Sequence, residues 1–316
     1  MLNFFIFMYV PQQVLNLGVS FFVPAHAVGQ NNTLLYQRVA AQFGFGQPWP
    51  IRYEKYLFNV FTGNFGVGIT PISGHKPVWE IITTYAPNSI FLLGVSSIFS
   101  IILGALVGVV AAAKRGKFVD LASISVGVFS YSLPTFWIGL LVLYFLAVAN
   151  PWFPIGLGIA TSGANGTPIA FGSLEYIKAY LWAATLPVLV LTVISWGGFL
   201  LIMRNTVNDV MTEDYITMAR AKGLSERTVL FRHAFRNALL PLVTSVALTF
   251  GFILSGAIIT ESIFSFTGLG YETLQFITAF DYPVMMGLFF LIGVMVIFAN
   301  LISDLVYGFL DPRVTY

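Results

Sequence analysis

The sequence predicts an all-α integral membrane protein with six transmembrane helices and both termini cytoplasmic. Three observations lead there. Of 316 residues, 57% are hydrophobic and only 9% charged, against about a quarter charged in a soluble domain. The few charges leave uncharged intervals long enough to cross a bilayer, and the basic residues gather in a few connections. Net charge is only +2, which excludes nucleic acid as a partner and leaves membrane lipid as the surroundings. With no cysteine, the chain has no disulfide, thiolate metal site or cysteine nucleophile.

The first charge is Arg38, so residues 1–28 form the first span. Pro11, Gln12, Gln13 and Asn16 make it the least apolar of the six. It lacks the basic leader and small-residue cleavage site of a secretory signal, so it is expected to be retained. Residues 29–80 then form an extracytoplasmic loop.

Between Glu80 and Lys114 lie 33 uncharged residues. At about 1.5 Å per residue such a helix overshoots a hydrocarbon core of about 30 Å. Pro87 and Asn88 mark 77–88 as an interfacial lead-in and 90–113 as the span proper. From Asp120 to Glu175 there are 54 uncharged residues, interrupted by Asn150-Pro151-Trp152-Phe153-Pro154, which gives a span over 121–149 and a loop after it. The intervals Lys178–Arg204, Arg236–Glu261 and Asp281–Asp304 supply spans over 179–203, 237–260 and 282–303. Residues 81–316 are therefore one membrane core of five spans.

The connections 114–118 and 204–236, with Arg313, carry ten of the fifteen Lys and Arg. An excess of Lys and Arg in short loops marks the cytoplasmic side. Asn31 and Asn165 open glycosylation sequons in segments read as external, about as many as thirteen asparagines yield by chance.

Catalytic and metal chemistry have no carrier here. Gly116-Lys117 lacks the upstream glycine of a phosphate-binding loop, and HExxH, GxSxG and CxxC are missing. His26, His75 and His233 fall in separate regions and predict no shared metal site. An ion-coupled carrier needs buried carboxylates or histidines at mid-depth, and no acid lies in the middle of a span. Glu261 and Asp304 sit at span ends, where inter-helix hydrogen bonding is expected. Asn300, Asp304 and Tyr307 share one helix face, expected to pack against protein. Gly104 with Gly108, and Gly197-Gly198, are expected to let helices approach closely.

The segment 204–241 is too patterned for an ordinary loop. Val207, Val210, Met211, Tyr215 and Met218 recur at three- and four-residue spacing, which predicts an amphipathic helix with those residues as its buried stripe. Gly223 can take the left-handed conformation that ends it. Ser225 is placed to cap a second helix with Glu226 in its first turn, and Arg232 and Arg236 share that helix's polar face. By pattern alone such an elbow rests on the membrane surface or docks to a partner; four acids among its six bases argue against pure lipid binding.

The run Asp214-Tyr215-Ile216-Thr217-Met218-Ala219-Arg220-Ala221-Lys222-Gly223-Leu224-Ser225-Glu226-Arg227, followed by Arg232-His233-Ala234-Phe235-Arg236-Asn237-Ala238-Leu239-Leu240-Pro241, closely resembles the signature loop of binding-protein-dependent ABC permeases. Within that superfamily it is similar to the dipeptide/oligopeptide/nickel group. Glu261-Ser262-Ile263-Phe264 with Gly268-Leu269-Gly270, Asp281-Tyr282-Pro283, and Asn300-Leu301 through Asp304-Leu305 to Asp311-Pro312-Arg313 agree with it. The resemblance covers about 80–316.

The resemblance implies the type I ABC importer permease fold, with 81–316 as the permease core and 204–236 as its cytoplasmic coupling loop. It also implies partners: a homologous second permease, two cytoplasmic ATPases that bind ATP and Mg, and an extracytoplasmic solute-binding protein. This chain itself is implied to be non-catalytic and free of cofactor. The ATPase-coupling residues implied are Glu213, Asp214, Tyr215, Ala219, Arg220, Ala221, Lys222, Gly223 and Leu224. Ala219 and Gly223 match the small residues that seat the helix, and Arg220 and Lys222 the contacting charges. Pro241, Glu261, Asn300 and Asp304 are structural or gating candidates. The sequence departs from the pattern at Thr217, where the general motif has glutamate, and at Val23-Pro24-Ala25-His26, where the family closes its first span with Pro-Gly-Asp-Pro. The expected activity is ATP-driven import across the cell membrane, of peptides first and of oligosaccharides or nickel as alternatives. A stand-alone ion-coupled carrier or channel is the rival class.

Overall fold

The computed structural model describes residues 1–10, 19–23, 33–163, 166–251 and 257–310. Their regular structure is helical, joined by turns and loops, with only the isolated bridges Val67–Pro77 and Ser162–Pro168 among the described residues. Helices Val78–Ala113, Leu174–Val210 and Tyr282–Ile302 are long and apolar enough to cross a membrane, and a bent pair, Phe118–Ser132 with Thr135–Val148, makes four if it counts as one crossing. The expected first and fifth spans run into 11–18 and 252–256, outside the described residues, as do His26, Asn31, Asn165 and Arg313.

Proline acts differently in three places. Val78–Ala113 is one continuous helix of 36 residues with Pro87 inside it, so the expected lead-in belongs to the span helix. Leu174–Val210 likewise runs through Pro187. A membrane helix tolerates a proline when neighbouring groups take up the freed carbonyl. Over 121–149, where a single helix was expected, Leu133 is extended at φ −75°, ψ 135° and the halves meet at 89°. The residue before a proline is pushed out of the helical region, and here Pro134 turns the chain.

Val78–Ala113 and Leu174–Val210 run side by side in the same direction, in contact from Asn88 and Tyr180 to Gly108 and Met203. A Cβ on Gly104 would lie 2.6 Å from the Trp196 carbonyl, and one on Gly108 2.7 Å from that of Leu200. Both glycines thus permit backbone contact, as small residues do in membrane bundles. Ser100 Oγ donates to the Ser96 carbonyl at 2.7 Å along the same seam.

Helix Phe118–Ser132 joins this pair at two points. A Cβ on Gly197 would collide with the Gly127 carbonyl, whereas one on Gly198 would meet only the Tyr131 ring at 3.6 Å. Gly197→Ala is therefore expected to destabilise by roughly 1–3 kcal/mol, the range for overpacking, and Gly198→Ala to be tolerated. Melting curves in detergent compare the two. At the other contact Arg204 Nε and Nη2 donate to the Asp120 carboxylate at 2.7 and 2.9 Å, and the Gly116 N–H donates to it at 2.9 Å. Asp120→Asn should destabilise by roughly 1–3 kcal/mol for a partly exposed bidentate pair, seen as a lower melting temperature in the same assay. An unchanged melt would mean that this ion pair does not hold the two helices.

The amino-terminal helix Leu2–Phe4, continued as a wider turn over Phe5–Tyr9, lies against the start of Tyr282–Leu310. Asn3 Nδ2 donates to the Met286 carbonyl at 3.0 Å, and the Phe7 and Phe289 rings are 5.5 Å apart. Val19–Phe22 is a 3-10 turn, with Phe22 packed on Phe43 and Phe45 of the segment read as a loop. That segment holds helices Thr33–Phe43 and Trp49–Phe61.

Candidate functional site

The elbow forms where Leu174–Val210 ends. Thr212 Oγ1 donates to the Asp209 carbonyl at 2.7 Å, closing the helix, and Asp214–Ala221 starts afresh beyond Glu213. This break resets the helical phase, so the expected stripe does not continue. Val207 is buried, but Tyr215 and Met218 are 40% and 60% exposed. Ile216 and Ala219 point inward instead, onto Val229 and Ala234 of the return segment. Ala219 is thus small because the elbow's own core requires it.

Gly223 adopts φ +78° and ends the helix, donating its N–H to the Arg220 carbonyl at 2.9 Å. Ser225 caps the next turn, its Oγ accepting from the Thr228 N–H at 3.3 Å. Arg220 Nε and Nη2 donate to the Glu226 carboxylate at 2.8 and 3.3 Å across that turn. Tyr215 Oη accepts from Asn237 Nδ2 at 2.6 Å, tying the short helix to Phe235–Gly251. Two straps and a small core hold the elbow together. Its outer face shows Glu213, Asp214, Ala221, Lys222, Gly223 and Leu224, all exposed. Of the two expected contact charges, Arg220 is held within the chain and Lys222 projects freely.

The elbow is rooted in a second cluster, where Val109, Met203, Val207, Leu230, Ala238 and Leu242 pack together. Helices Val78–Ala113, Leu174–Val210 and Phe235–Gly251 therefore meet at its base.

At the opposite end of Val78–Ala113 lies a clamp. Glu261 is completely buried. Its Oε1 accepts from Ser89 Oγ at 2.8 Å and from the Ala257 N–H at 2.9 Å, and its Oε2 accepts from the Tyr271 N–H at 2.9 Å. Ser89 Oγ accepts in turn from the Leu269 N–H at 2.8 Å. Gly268 is obligatory, since a Cβ there would collide with Ser89 Oγ. Asn88 Nδ2 donates to the Thr267 carbonyl at 2.6 Å, and Asn88 Oδ1 accepts from Tyr180 Oη at 3.1 Å. Glu272 bonds Tyr85 on the same helix, and burial pushes its carboxyl above the ordinary range. The buried Asp281 carboxylate accepts from the N–H groups of Ile69 and Thr70 and from Thr70 Oγ1, the last at 2.8 Å. Glu261 and Glu272 thus fasten the short helices Ile258–Ile263 and Leu269–Thr278 to Val78–Ala113, and Asp281 ties residues 69 and 70 to the start of Tyr282–Leu310.

The remaining candidates are placed less tightly. Pro241 is exposed inside Phe235–Gly251. Asn300 is exposed on Tyr282–Leu310, and the side chain of Asp304 lies outside the described residues. Sequence reasoning missed the ties of Ser89, Gly268 and Asp281, and the Asp120–Arg204 pair. Asp120 and Arg204 had served only as boundaries of uncharged intervals, although opposite charges at the same end of two spans were a signal.

Residues 104–316 match the family described as "Binding-protein-dependent transport system inner membrane component". The chain belongs to this family. That match takes in the elbow, its base and the clamp acids Glu261, Glu272 and Asp281. The chain is 32% identical to the oligopeptide transport system permease protein AppB of Bacillus subtilis, over 94% of this chain and 93% of that one. It is 32% identical to the dipeptide transport system permease protein DppB of Escherichia coli, over 89% and 85%. With the di/tripeptide permease protein DppB of Pseudomonas aeruginosa the identity is 33%, over 87% and 83%. In fold it is similar to a chain of the inward-facing MetNI methionine ABC transporter, with TM-score 0.55 and 16% identity over 74% of this chain and 97% of that one.

Proposed function

We propose that this chain is the permease subunit of an ATP-driven, binding-protein-dependent importer of oligopeptides or dipeptides, forming half of the pathway in the cell membrane. The elbow carries this reading: it is held together by two straps and a small core, has an exposed small-residue face, and is rooted where three long helices meet. In this reading Asp214–Ala221 and the Lys222–Leu224 turn seat in a groove of a cytoplasmic ATPase. Closure of two ATPases on ATP and Mg pushes the elbows of this chain and of a homologous second permease. The long helices then open the pathway toward a solute-binding protein on the far side. Peptides are chosen because the relatives named above are peptide and dipeptide permeases.

Mass spectrometry of what co-purifies with a tagged copy from its native membrane in mild detergent tests this. A second permease and two ATPases are expected, and an accompanying binding protein is then screened with peptides, oligosaccharides and nickel. Recovery of the chain alone or as a homodimer across several detergents would favour a stand-alone carrier and remove the elbow's role.

A further inference from the structure

We propose that helix Trp49–Phe61, in the segment read from sequence as an aqueous loop, is a membrane-embedded element whose exposed apolar ridge contacts phospholipid in the leaflet where Tyr282–Leu310 begins.

Four observations place it there. Past Lys55 the helix exposes apolar side chains, and its one exposed acid, Glu54, lies between Ile51 and Phe58 on the outer face. One face buries Tyr56 and Val60 against the chain itself, and the opposite face carries Ile51, Phe58 and Phe61, spaced to share one side, the last two 70% and 82% exposed. An ordinary surface helix keeps its outer face polar.

Its charges are graded along its axis. Arg52, Glu54 and Lys55 lie in the first half, and no Lys, Arg, Asp or Glu occurs from Tyr56 to His75. A helix dipping into a bilayer from its surface has this polarity.

The uncharged end sits at membrane depth. The apolar stretch Tyr282–Ile302 has 21 residues, which at about 1.5 Å each matches a core of about 30 Å. Tyr56 packs on Phe4 with ring centroids 5.5 Å apart, next to Asn3, which donates to the Met286 carbonyl. Phe65, just after the turn at Gly63 that ends the helix, packs on Phe290 with ring centroids 5.9 Å apart. Residues 286–290 lie about 6–12 Å inside that stretch, and they carry the end of Trp49–Phe61 with them.

The ridge also continues a surface that has no other cover among the described residues. The neighbouring amino-terminal helix exposes Leu2, Phe5 and Ile6. Phe58 and Phe61 with Leu2, Phe5 and Ile6 form an apolar surface bordered by charge only at its outer end, Glu54 and Lys55, so acyl chains are the occupant that fits.

The chain has no cysteine, so single cysteines report cleanly. Phe58→Cys and Phe61→Cys, each in the full chain with its co-purifying partners, are labelled with a nitroxide in phosphatidylethanolamine–phosphatidylglycerol vesicles. Collision with oxygen is expected to exceed collision with a water-soluble nickel complex, as at a lipid-facing control, Ile297→Cys, and several-fold above an aqueous control, Lys114→Cys. In a second measurement the photoreactive benzoylphenylalanine, close to phenylalanine in shape, replaces Phe61, and irradiation is expected to add the mass of a phospholipid. Labels accessible to nickel like Lys114→Cys, labels shielded from both reagents, or crosslinks to polypeptide would each overturn the proposal, the last two in favour of a protein partner.

Discussion

Replacing Gly223 by tryptophan is expected to stop transport while leaving the chain folded in its membrane. The position separates two demands that usually coincide. Its φ of +78° disfavours any side chain, by about 1–2 kcal/mol for an L-residue in the left-handed region. Yet a Cβ there meets no atom within 4 Å, so the chain itself has room for bulk. Gly223→Ala therefore carries the backbone strain alone, and Gly223→Trp adds bulk that only an outside partner can feel. The alanine variant should keep most of its transport and the tryptophan variant lose on the order of tenfold or more, about 1.4 kcal/mol of seating energy at the least. ATP hydrolysis by the assembled complex should continue without solute movement. Solute uptake and phosphate release in the same proteoliposomes read both. If the tryptophan variant transports as well as the alanine one, nothing seats on this turn; if both fail equally, backbone conformation rather than contact is the cause.

How much of this was legible in advance follows from which forces act locally. Exclusion of charge from hydrocarbon is a property of each stretch by itself, so the apolar bodies of Val78–Ala113, Leu174–Val210 and Tyr282–Leu310 could be read from the spacing of Lys, Arg, Asp and Glu, but not their limits, since Glu80, Glu175 and Arg204 lie inside the helices. The end of the elbow helix was equally local, since Gly223 and Ser225 each act on their own backbone. Errors arose where a local rule was carried past a break. Tyr215 and Met218 continue the periodicity of Val207 and Val210 in sequence, but the chain leaves the helix at Met211–Glu213 and the phase is lost. Pro134 was not distinguishable from Pro87 or Pro187, because whether a proline kinks a membrane helix depends on what neighbouring helices offer. Glu261 was expected to bond between helices. Its partner Ser89 is 172 positions away, and nothing in one sequence pairs them. The same distance in sequence hid the tie between Asp281 and Thr70.

The clamp yields the largest expected loss of stability. Glu261→Ala would leave the N–H groups of Ala257 and Tyr271 without their acceptor in a site closed to water. At about 1–3 kcal/mol for each orphaned donor, the destabilisation should reach roughly 2–6 kcal/mol, seen as poor recovery from the membrane and a lower melting temperature in detergent. The informative variant is Glu261→Gln, which keeps the shape. Donors approach both carboxylate oxygens, Ser89 Oγ and the Ala257 N–H on one side and the Tyr271 N–H on the other. An amide has only one acceptor oxygen, so its NH2 must face one of these N–H groups donor to donor. The isosteric change should therefore cost a large part of what the alanine costs, and transport should fall with it, because the short helices Ile258–Ile263 and Leu269–Thr278 lose their hold on Val78–Ala113. A wild-type melt for Glu261→Gln would mean that one acceptor oxygen suffices. In that case the short helices would be held to the bundle by Asn88 and Glu272, and the joint through which the long helices move the far mouth would lie at those two residues instead.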